Sequence, residues 1–118
     1  MMNTSKYLIQ NVEKYGNSAA LSIKDSDGQW QTDSWNDFYH AVLDISKSLI
    51  ACGVGINEKI SIYSYNRREW YACYASTQFI NSVAVGIYHT CSSNEVEWVV
   101  SNSDSKIVFV GNNPNDNG

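Results

Sequence analysis

The 118-residue sequence predicts an α/β fold: a β-hairpin and helices, followed by a β-α-β-α-β unit built on a parallel sheet. Three observations carry this. From Lys59 onward, short extended apolar runs alternate with capped helical segments, and strands joined through helices in this way pair in parallel. Asp27-Gly28 stands between two extended runs, a hairpin signal because the turn needs positive φ. Between these regions, Trp35, Phe38, Val42, Ile45 and Leu49 recur at three- and four-residue steps, forming one apolar helical stripe.

Element by element, Thr4 to Tyr15 is expected to be a short helix, with Tyr7, Leu8, Val12 and Tyr15 at helical spacing. Gly16-Asn17-Ser18 breaks it. Ala19 to Lys24 reads as a strand, Asp25 to Gly28 as the turn, and Gln29 to Asp33 as the returning strand. Ser34 caps the long helix, and Asp37, three residues on, is placed to reach back in a capping box. Gly53 ends that helix where a left-handed backbone is needed. Asn57-Glu58 turns the chain into a strand from Lys59 to Tyr65. Asn66 and Glu69 form a second cap-and-box pair, opening a helix through Trp70, Tyr71, Tyr74, Phe79 and Ile80 that is apolar on most sides. Asn81 is its left-handed stop. Val83 to Tyr88 is a nearly continuous apolar run, the pattern of a strand buried on both faces. Ser92 and Glu95 make a third capping box for a helix whose Val96, Val99 and Val100 face inward. Ile107 to Val110 reads as another buried strand, ending at Gly111. Residues 1–111 are thus expected to form one partial domain, and the polar, turn-rich 112–118 a mobile tail that reads as a loop cut short.

Composition narrows the function classes. A hydrophobic fraction of 43% can build a core, so disorder is not the default. The net charge of −4, with one adjacent basic pair (Arg67-Arg68) followed directly by Glu69, excludes the basic face that a nucleic-acid binder uses. Cys52, Cys73 and Cys91 are odd in number and widely spaced, unlike a disulfide framework or zinc site. Cys52 and Cys73 lie in apolar helical segments and are expected to be buried free thiols, which fits a cytoplasmic location. No signal peptide and no run of about 20 apolar residues is visible.

The residues resemble a known family. The helix ending Lys47-Ser-Leu-Ile-Ala-Cys-Gly-Val-Gly55, the strand Glu58-Lys-Ile-Ser-Ile-Tyr63 and then Asn66-Arg-Arg-Glu-Trp70 are similar to the N-terminal region of AMP-forming acyl-CoA synthetases. The spacing from there to Gly86-Ile-Tyr-His-Thr90, followed by Ser and a helix, resembles the long-chain and bubblegum-type fatty acyl-CoA synthetases. Val12-Glu-Lys-Tyr-Gly16, Ala19-Ala-Leu-Ser-Ile23 and Thr32-x-x-Trp35 fit their opening hairpin and first long helix. The likeness runs from about Leu8 to Val110 and departs at Asn81-Ser82, where the family commonly has a glycine-containing turn. It implies that the fold is part of the large N-terminal domain of an adenylate-forming enzyme. The parent enzyme would activate a fatty acid with ATP and magnesium through acyl-AMP, then pass the acyl group to coenzyme A. The resemblance allows peripheral membrane contact by that parent. Some bacterial members are dimers through their N-terminal regions, so self-association or a dimer is expected.

The resemblance places the phosphate loop, magnesium ligand, adenine pocket, ribose-binding Asp and late lysine outside the matched region. The seven glycines form no phosphate loop: Gly53-x-Gly55 lacks a third glycine and follows a helix, and no Gly-Lys-Ser or Gly-Lys-Thr occurs. Catalytic, cofactor-binding and metal residues are therefore expected to be none, and the chain alone inactive. His89 and Cys91, two apart after a strand, could form a nucleophile pair only with a third orienting group, and none is evident. His40 reads as a surface or partly buried helix residue. Asn66 to Trp70 reads as a helix cap with an aromatic anchor rather than an anion site. Trp30, Trp35, Trp70 and Trp98 read as core or partner-facing residues, not a lipid groove. The alternative is a stand-alone small α/β ligand-binding or interaction domain without catalysis.

Overall fold

The computed structural model of the chain describes residues 3–112. In order they form α1 (Thr4–Tyr15), β1 (Ala19–Lys24), β2 (Trp30–Ser34), α2 (Trp35–Ala51), β3 (Lys59–Tyr63), α3 (Arg68–Phe79), β4 (Val83–Ile87), α4 (Ser93–Ser103) and β5 (Ser105–Val110). β1 and β2 are an antiparallel hairpin, and β4-β3-β5 is a parallel sheet with β3 at its centre. The predicted α/β class and element order are observed. The tail assigned to 112–118 lies outside the described residues beyond Asn112.

Local chemistry explains most boundaries. Gly28 at φ +75° turns the hairpin, while Asp25 Oδ1 accepts from the N–H groups of Asp27 and Gln29. Ser34 and Asp37 form the full capping box of α2, and Ser92 and Glu95 that of α4. Gly53 at φ +81° and Asn81 at φ 54° stop α2 and α3 in the left-handed region, as their positions in the sequence predict. Asp104, at φ 54°, stops α4 in the same way, which the sequence reading does not foresee.

α1, α2 and α3 pack around Leu8, Val42, Ala72 and Ala75, with Val12, Phe38 and Phe79 against them. Small residues let α2 and α3 approach closely: Ser46 Oγ donates to Val42 O at 2.7 Å, and Ser76 Oγ lies 2.6 Å from Ala72 O and 3.0 Å from Val42 O. A second cluster, Leu49, Val54 and Ile60, joins α2 to the sheet through Ile107 and Phe109. Alternation along β3 puts Ile60 and Ile62 on that face, each worth about 1.5–3 kcal/mol when fully buried. Ser61 points the other way, its Oγ 2.7 Å from Ser105 Oγ, which is 2.7 Å from Ser103 Oγ at the end of α4.

Several expectations are corrected. Asn66 does not cap α3: the N-cap is Arg67, with extended backbone and no side-chain cap bond. β3 ends at Tyr63 rather than Tyr65, and the hairpin's return strand begins at Trp30. β4 is not buried on both faces. It is an edge strand with Val83 and Gly86 exposed, and Tyr88 beyond it is 82% exposed. β5, the other edge, is only half-buried, and α4 buries none of its residues fully, Val96, Val99 and Val100 being half-covered. Cys52 is exposed, because it sits at the C-cap of α2 just past the apolar stripe; Cys73 is buried.

Candidate functional site

In open parallel sheets, ligands bind outside the carboxyl ends of the strands, where neighbouring connections leave in opposite directions. With the order β4-β3-β5 that place lies beyond Tyr63, Ile87 and Val110. Two adjoining clefts occupy it. One, of about 290 Å³, lies between the ends of β3 and β4 and is lined by Ser64, Asn66, Trp70, Gly86 and His89, among others. The other, of about 260 Å³, lies between β3 and β5 and is lined by Ser64, Tyr65, His89, Gly111 and Asn112, among others. Ser64 and His89 line both.

Backbone and aromatic contacts build these walls. The Tyr63 hydroxyl lies 3.3 Å from Cys91 O and 3.5 Å from His89 O, tying the turn after β4 to the end of β3. The His89 ring stacks on Tyr65, centroids 4.1 Å apart at 29°. Trp70 stacks on Tyr74 at 5.8 Å along α3 and closes the side nearest Gly86. Gly111 packs so tightly on β3 that an added Cβ would overlap the Ser64 side chain. Beside it, Arg67 Nη2 donates to Asn112 O at 2.9 Å.

Among the described residues no hydrogen bond joins His89 to Cys91; the imidazole faces Tyr65 instead, so no nucleophile pair forms. His40 is exposed on α2. At the start of α3, Arg68 pairs with Asp33 of the hairpin at 2.7 Å, so both adjacent arginines are engaged by protein groups. The tryptophans do not converge: Trp35 packs on the helical cluster, Trp70 on the cleft wall, and Trp30 and Trp98 are exposed. Cys73 is inert, since burial, and secondarily Glu69, pushes its thiol up to about 11. The Tyr65–His89 stack and the Arg68–Asp33 pair are contacts across 24 and 35 positions that no local sequence pattern encodes.

The sequence model described as "AMP-binding enzyme" matches residues 8–117. The chain belongs to the AMP-binding enzyme family. It is 31% identical over 103 residues to a long-chain-fatty-acid–CoA ligase of Xenopus laevis, covering 87% of this chain and 14% of that protein. It is 32% identical over 106 residues to long chain acyl-CoA synthetase 4 of Arabidopsis thaliana, covering 85% and 16%. The chain thus spans about one-seventh of the length of these curated relatives. Among solved structures, the N-terminal domain of FACL13 from Mycobacterium tuberculosis superposes with a TM-score of 0.78 at 21% identity, over 92% of this chain and 27% of that one. The N-terminal subdomain of NpsA from Klebsiella oxytoca gives 0.82 at 12% identity, over 100% and 30%. These two likenesses establish the fold alone, which this chain shares with part of each of those N-terminal regions. The clefts at the strand ends lie wholly inside the family match.

Proposed function

We propose that this chain forms the N-terminal part of an AMP-forming fatty acid–CoA ligase, with residues 1–111 as a partial domain. The observation that carries the proposal is the family match across residues 8–117, together with curated relatives at 31% and 32% identity that are named as long-chain acyl-CoA synthetases. In that reaction a carboxylate oxygen of the fatty acid attacks the α-phosphorus of ATP and pyrophosphate leaves. The thiol sulfur of coenzyme A then attacks the acyl carbon, AMP leaves, and the thiol proton passes to solvent. The first step is needed because a carboxylate has no adequate leaving group, and the mixed anhydride supplies one.

This chain serves such an enzyme as scaffold. We assign it no catalytic or cofactor-binding residue. Magnesium, implied for the whole enzyme, finds no fit here, because among the described residues no group of three or more His, Cys, Asp or Glu could hold a metal ion. The strand-end clefts, with Ser64 and His89 at their junction, form a wall that the rest of the enzyme completes. We place the enzyme in the cytoplasm, a reading supported by three free cysteines. No helix of the described residues is long and apolar enough to cross a membrane; peripheral contact of the whole enzyme with lipid is proposed from the family resemblance alone. The exposed Tyr88, Trp98 and Val110 support self-association of the chain by itself.

The test is to supply the whole gene product with a long-chain fatty acid, ATP, magnesium and coenzyme A. Acyl-CoA and AMP should appear in equal amounts; ADP in place of AMP, or nucleotide turnover independent of fatty acid, rejects the proposal. Titration calorimetry of residues 1–118 with ATP should show no binding heat. Saturable ATP binding would reject the scaffold role.

A further inference from the structure

We draw no further inference here: the strongest candidate, the cleft of about 190 Å³ between the β1–β2 hairpin and the start of α3, has Arg67 and Arg68 already bonded to Asn112 O and Asp33, and nothing in the structure shows what would fill it.

Discussion

Gly111→Ala should destabilise the protein through one identifiable collision. An added Cβ would overlap Ser64 Oγ and stand 2.7 Å from Ser64 Cβ, with Arg67 Nη1 at 3.4 Å. The Ser64 hydroxyl can rotate away, but its Cβ is fixed to the end of β3 and can retreat only if the backbone moves. The Gly111 N–H bond to Tyr63 O opposes that movement. Overpacking of this kind costs about 1–3 kcal/mol. Near the lower value the melting temperature should fall by about 4–8 °C in a domain of this size. Ser64→Gly alone removes the hydroxyl's 3.1 Å bond to Tyr65 O and adds backbone freedom, costing about 0.5–1 kcal/mol. In the double variant the collision disappears, so the two costs should not add, and a favourable coupling of about 1–2 kcal/mol should emerge from thermal or urea unfolding of the four forms. Strict additivity would refute the steric account, even if Gly111→Ala were destabilising by itself.

Other consequences can be checked by the same unfolding measurements. Ser34→Ala and Ser92→Ala, which each break a complete capping box, should cost about 0.5–2 kcal/mol, whereas Asn66→Ala, outside the true cap of α3, should stay within about 0.5 kcal/mol. Four carboxyls are held below their ordinary values: Asp25 by the Gln31 side chain and the Gln29 N–H, Asp37 by the Ser34 hydroxyl, Glu58 by the Gly55 N–H and then Lys106, and Glu95 by the Ser92 N–H. Each depressed group contributes stability that is complete above its unfolded value, 3.8 for Asp and 4.5 for Glu, and drains away as pH falls through the lower folded value. The melting temperature should therefore hold down to about pH 5 and fall below about pH 4.5, with a shallower fall in Asp37→Asn/Glu95→Gln; an unchanged slope would reject these carboxyls as its source. With a thiol reagent at neutral pH, Cys52 should react in the folded protein and Cys73 only on unfolding, since the Cys73 thiol is buried and pushed up to about 11.

What the sequence made legible was what a few neighbouring residues decide among themselves. The Ser34–Asp37 and Ser92–Glu95 boxes, the left-handed Gly28, Gly53 and Asn81, and the stripe from Trp35 to Leu49 all emerge where the pattern places them. Asn66–Glu69 has the same local spelling and fails. Arg67 bonds Asn112 O and Arg68 pairs with Asp33, contacts that the local spelling does not encode, and α3 starts one residue later than the cap pattern asks. The place of the clefts follows from the parallel topology once the strand order is known, since such sheets bind ligands at the ends of their strands. Their walls could not be read from the sequence, because Tyr65 meets His89 and Ser64 meets Gly111 only once the strands are assembled.

The misread burial of β4 and β5 has a different cause from the misread cap. Val83 to Ile87 and Ile107 to Val110 are written as apolar runs, the composition of strands covered on both faces and flanked on both sides, yet only β3 has that environment here. Composition records the surroundings in which a strand must be stable; the structure records the surroundings it has among residues 3–112. The mismatch between the two therefore measures absent neighbours. At β5 it is backed by an apolar groove, and at α4 by a helix that buries none of its valines fully and leaves Trp98 66% exposed. A free-standing domain of this size would be expected to carry charges along such edges and polar groups on such faces. Such charges are missing along β4 and over Ile107 to Val110 of β5, Lys106 being the one charged residue of the two strands, which is what the proposed place of the chain within a larger N-terminal domain requires.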